Sequence, residues 1–78
     1  MEILNFIENL KGVLEETDPG LLTPNCNFKN LGEWSSLIAL SVIAMVDEEY
    51  DVAIKGDDIR HSETIQQLFD IVIVKSRM

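Results

Sequence analysis

The chain has 78 residues, 46% of them hydrophobic, and 14 acidic against 6 basic side chains give a formal charge of −8. A chain this short builds one small core, leaving no room for a second domain or a large enclosed active-site cavity. The charge argues against a nucleic-acid partner, because phosphate backbones are bound through many Lys and Arg contacts, and it favours partners with basic surfaces. The single cysteine, Cys26, forbids an intrachain disulfide and a multi-cysteine metal site. The N-terminal stretch Met1-Glu2-Ile3-Leu4-Asn5 lacks the basic region of a signal peptide, and no apolar run reaches membrane-spanning length. A cytoplasmic protein away from the membrane is expected.

Ile3, Phe6, Ile7, Leu10, Val13 and Leu14 recur at three- and four-residue spacing, which predicts an amphipathic first helix. The breaker cluster Thr17-Asp18-Pro19-Gly20 ends it. Residues 17–35 read as a long connection rich in turn formers, among them Pro24, Asn25, Asn27, Asn30 and Gly32. Leu21, Leu22, Phe28 and Leu31 make that connection too apolar for a solvated linker, and Phe28 and Leu31 are expected to plug the core.

The second helix is expected from about Ser36 to Tyr50. At 100° per residue its core wedge holds Ala39, Val42, Ile43, Val46 and Tyr50. The far side carries Leu37, Ser41, Ala44 and Glu48, flanked by Leu40 and Asp47, so an apolar stripe faces water near the start of this helix. Its end is electrostatically unfavourable, since Asp47, Glu48, Glu49 and Asp51 crowd the negative pole of the helix dipole.

Gly56-Asp57-Asp58-Ile59-Arg60 reads as a short helical turn, with Ile54 and Ile59 pointing inward. Ser62 offers a cap for a last helix containing Ile65, Leu68, Phe69 and Val72. Its β-branched end, Ile71-Val72-Ile73-Val74, resembles a strand but has no partner strand, so the helix is extended to about Val74. The fold class is therefore all-α: a small bundle of three main helices and one short helix, with a long first loop.

No constellation for catalysis is visible. The one histidine, His61, lies in a polar stretch beside Ser62, without the orienting acid and oxyanion hole that a Ser–His pair requires. Phosphate-loop, zinc-protease and calcium-loop patterns are absent.

Phe28, Leu31-Gly32, Ser35-Ser36-Leu37 and the run from Leu40 through Asp47-Glu48-Glu49-Tyr50-Asp51 resemble an acyl carrier protein, a member of the phosphopantetheine-binding carrier family. In that family an Asp-Ser-Leu motif opens the second helix, which closes on acidic residues and an aromatic. An Ile follows in the next loop, then a short third helix and a fourth that opens near a Thr-Val-type pair. Here Ile54, Ile59 and Thr64-Ile65 fill those places. Ser35 stands where the family has its aspartate, Trp34 occupies an additional position before the motif, and Ile38 and Ser41 replace acids common in fatty-acid-synthesis carriers.

The resemblance implies a carrier and not an enzyme. By register, Ser36 is the residue to which a phosphopantetheinyl transferase attaches 4′-phosphopantetheine from coenzyme A, making the chain a phosphoprotein. Leu37, Leu40, Ser41, Ala44 and Glu48 then form the docking face for acyl-loading and acyl-processing enzymes with basic or apolar patches. The implied chain is a discrete, monomeric carrier of acyl, aminoacyl or peptidyl thioesters in a specialised fatty-acid, polyketide or related biosynthetic pathway. The alternative is an unmodified carrier-like bundle that serves only as a protein-interaction module. Trp34 has two readings: packing into the junction of loop and core, or lying beside the prosthetic arm.

Overall fold

The computed structural model describes residues 2–77 and contains four α-helices: α1 (Ile3–Val13), α2 (Ser36–Tyr50), α3 (Gly56–Arg60) and α4 (Ile65–Ser76). No strand occurs among the described residues, and the all-α bundle of three main helices and one short one is the observed fold. None of the helices is long and apolar enough to cross a membrane. The β-branched stretch before Lys75 stays helical because Val72, fully buried, continues the inward row of Leu68 and Phe69.

The core forms where the apolar rows of α1, α2 and α4 meet. Phe6 is its centre, wholly inaccessible to solvent, with its ring 5.3 Å from Phe69 and 6.1 Å from Tyr50. Leu10 and Leu14 extend the α1 row, while Val42 and Val46 supply that of α2. Ile54 and Ile59 are buried, as their inward placement requires. The Tyr50 hydroxyl donates to Asn5 Oδ1 at 2.6 Å and accepts from Asn9 Nδ2 at 2.9 Å, clamping the end of α2 to the polar edge of α1.

Two expectations are corrected. Ser62 is not the cap of α4: Thr64 is, its Oγ1 accepting the Gln67 N–H at 3.2 Å. Ser62 is instead fully buried and donates to the Asp58 carbonyl at 2.8 Å, closing α3. The physical reason is position, since only the residue next to the first helical turn reaches its free N–H groups. In the loop, Leu22 fills the core beside Phe28, while Leu31 is only partly buried.

The loop from 14 to 35 is fastened along its length. Its two single turns of 3-10 helix, Pro19–Leu21 and Phe28–Asn30, are its only regular pieces. The Cys26 and Pro24 carbonyls accept the Ile65 and Gln66 N–H groups at 3.1 and 2.9 Å, satisfying donors that α4 itself leaves without partners. Lys29 Nζ donates to the Arg60 carbonyl at 3.0 Å, closing the C-terminal end of α3.

Asp58 ties the short helix down. Its Oδ2 accepts the Lys55 N–H at 2.8 Å and lies 2.7 Å from Lys75 Nζ on α4. The Lys75 ammonium holds the Asp58 carboxyl below its ordinary value of 3.8, against a smaller opposing effect of burial. A depressed folded-state pKa means that the carboxylate's stabilisation is complete above the unfolded value and fades as pH falls through the folded one. Asp58→Asn is therefore expected to lower the urea midpoint at neutral pH, with the gap to the wild-type chain closing below pH 3.8. A gap of equal size at neutral and strongly acid pH would contradict this.

At the other end of α2, Asp51 adopts φ 55°, ψ 42°, the left-handed conformation that costs most residues energy and suits glycine. Its charge also sits at the negative pole of the helix, four residues after Asp47. Asp51→Gly relieves both and is expected to stabilise the chain by about 1 kcal/mol. In a domain of this size that raises the melting temperature by about 4–8 °C. An unchanged or lower melting temperature by calorimetry would defeat the argument.

Candidate functional site

The segment leading into α2 is fixed before the helix begins. The Trp34 N–H donates to the Leu31 carbonyl at 3.0 Å, closing a turn through Gly32 and Glu33. Glu33 Oε1 accepts from Thr17 Oγ1 at 2.7 Å and from the Glu16 N–H at 3.2 Å, which pins this turn to the chain just beyond α1. Ser35 is extended, at φ −157° and ψ 172°, and is the N-cap: its Oγ accepts the Ile38 N–H at 3.2 Å and its carbonyl the Ala39 N–H at 2.9 Å.

Ser36 is the first residue of α2 and is exposed. Its hydroxyl has no hydrogen-bond partner among the described residues, because Ser35 does the capping. The backbone N–H groups of Ser36 and Leu37 are likewise unpaired, and the first turn of α2 contains no acid. A free hydroxyl thus stands at the positive end of a 15-residue helix, beside two free donors and no competing carboxylate in that turn. These groups fit a phosphodiester on Ser36 Oγ: a negative group there meets the dipole and the open N–H groups.

The remaining residues of the candidate site lie along one exposed stripe of α2. Leu37 is 72% and Leu40 62% exposed, and Ser41, Ala44 and Glu48 are exposed as well. Ser41 Oγ donates back to the Leu37 carbonyl at 3.2 Å, so its hydroxyl is occupied within the helix. Asp47, Glu48 and Glu49 follow on the exposed surface, with no basic residue in the last turn. The stripe therefore grades from apolar near Ser36 to anionic at the far end.

Trp34 packs edge-on against Phe28, with ring centroids 4.9 Å apart and planes at 65°. It is half-buried, while Phe28 beneath it is buried. This is the junction of loop and core, the first of the two readings of Trp34. An open groove of about 380 Å³ flanks the turn before it, lined by Leu21 and Leu31 together with Glu16, Asp18 and Glu33.

His61 is exposed at the C-cap of α3, and its neighbour Ser62 is buried and bonded to Asp58, so the two form no nucleophile–base pair. Burial pushes the Cys26 thiol up, against a weaker opposing hydrogen bond with Thr23, which disfavours the nucleophilic thiolate. Among the described residues no group of three His, Cys, Asp or Glu side chains could hold a metal ion.

The sequence reading missed how the loop is held. Thr64 is a residue type that favours helix starts, as Ser62 is, and Gln67 Oε1 accepts the Glu63 N–H at 2.7 Å. The roles of Pro24 and Cys26 had no signal in the sequence, because backbone carbonyls carry no side-chain signature. No protein-family model, no curated protein and no solved structure matches this chain.

Proposed function

We propose that this chain is a discrete carrier protein, modified on Ser36 with 4′-phosphopantetheine, that holds acyl, aminoacyl or peptidyl groups for other enzymes. The observation that carries this reading is the division of labour between adjacent serines. Ser35 caps α2, which leaves the Ser36 hydroxyl exposed and unbonded at the helix start. The likeness of residues 35–51 to the carrier motif supplies the chemistry, and the helix-terminal geometry is compatible with it.

On this reading Ser36 Oγ forms a new P–O bond as the phosphoanhydride of coenzyme A breaks and the adenosine bisphosphate leaves. The serine proton passes to a base on the transferase, since no side chain of this chain hydrogen-bonds Ser36 among the described residues. The free Ser36 and Leu37 N–H groups would hold the phosphodiester. The arm's terminal thiol supplies the thioester bond to the cargo. Leu37, Leu40 and Ala44 offer apolar contact to visiting enzymes, and Glu48 with its acidic neighbours offers charge to their basic patches. The carrier works as a monomer in the cytoplasm, in a specialised fatty-acid, polyketide or related pathway.

The test is incubation of the purified chain with coenzyme A and a phosphopantetheinyl transferase of broad specificity, read by intact mass. The expected result is a gain of one phosphopantetheine per chain. No gain, while a known carrier in the same tube is converted, overturns the reading for that transferase. It would then favour an unmodified interaction module, the role consistent with Ser35 in place of an aspartate.

A further inference from the structure

Trp34 is the only tryptophan in the chain, and its surroundings leave it half-used. The indole meets the Phe28 ring at a steep angle, and Phe28 is 2% exposed and cannot give way. The indole N–H has no hydrogen-bond partner among the described residues, and no buried polar side-chain atom there lacks one, so this donor faces solvent. A tryptophan recruited only to fill a core hides its ring and pairs its N–H. Here the ring is held against the core while its N–H donor stays free.

Its position relative to Ser36 follows from the backbone. Ser35 between them is fully extended. The Cα atoms of residues 34 and 36 are then about 7 Å apart, two steps of an extended chain. The turn closed by the Trp34 N–H and pinned by Glu33 holds this arrangement. An aromatic ring with a free donor therefore stands two residues before the exposed Ser36 hydroxyl.

We propose that Trp34 is a positioning residue for the phosphopantetheine arm, its ring taking the arm's methyl groups and its N–H donating to the arm's oxygen atoms. This rests on the reading of Ser36 as the attachment point. Such a contact limits the volume that a flexible arm explores and keeps the thioester close to the start of α2.

The single tryptophan makes the test direct. Emission and acrylamide quenching are recorded on the wild-type chain before and after conversion with coenzyme A and transferase, with conversion followed by intact mass. The expected result is a change in emission together with a loss of quenching on conversion, and neither change in Ser36→Ala treated identically. Complete conversion with unchanged quenching overturns the Trp34 proposal and leaves the Ser36 reading standing. Absence of conversion overturns both. An equal change in Ser36→Ala overturns the proposal as well, because the signal then comes from free coenzyme A or the transferase.

Discussion

Ser36→Ala is expected to stay at its unmodified mass under conditions that convert the wild-type chain completely, a loss of the whole signal. The substitution is structurally mild. The Ser36 hydroxyl makes no hydrogen bond among the described residues, so none is lost, and alanine is the better helix former. Circular dichroism and the melting temperature should therefore be those of the parent or slightly better, which leaves the missing hydroxyl as the cause.

Ser35→Ala is the paired control and behaves in the opposite sense. It removes the Oγ that accepts the Ile38 N–H and costs about 1 kcal/mol of stability, while the acceptor at 36 remains. Modification is expected to be retained. If instead Ser35→Ala abolishes the mass gain and Ser36→Ala does not, the attachment point is Ser35. Ser35→Asp keeps a capping oxygen and restores the acid that the carrier family has there, so it is expected to be converted at least as fast as the parent chain.

Phe6→Ala is expected to destabilise the chain by about 3–5 kcal/mol, the range for deleting a buried aromatic ring. A domain of this size has a total stability of only about 4–12 kcal/mol, so this one change removes a large share of it. Phe6 is singled out because it is wholly buried and its ring meets residues of two other helices, Tyr50 on α2 and Phe69 on α4. Its loss therefore opens a cavity where three helices converge, and no neighbour on a single element can collapse into it. Urea unfolding followed by circular dichroism should show a much lower midpoint at little-changed slope. A loss under about 1 kcal/mol would mean that the site repacks, contrary to the central role given to this ring.

Much of the fold was legible because helices announce themselves in local spacing. The rows Phe6-Leu10 and Val42-Val46 recur at a helical period, and their burial follows from that period alone. Leu37 and Leu40 as exposed residues, and Ile54 and Ile59 as inward ones, were also readable, since each depends on position within or beside one element. The Ser62 cap failed because two capping residues stood within reach of one helix start, and only the path of the chain after α3 decided between them.

The sequence by itself thus determined the helices, their buried faces, the acidic surface and the serine pair that opens α2. These are properties of neighbouring residues and of composition. Only the tertiary structure decided that the long loop is tied back to its own start just beyond α1 through Glu33, to α3 through Lys29 and to α4 through the Pro24 and Cys26 carbonyls. Those contacts join residues 16 to 42 positions apart and run largely through backbone groups that every residue possesses. Tertiary packing likewise set Trp34 on Phe28 with its indole N–H left toward solvent. Periodicity is local and can be read from a single strip of sequence, whereas the pairing of distant backbone groups exists only once the chain has closed.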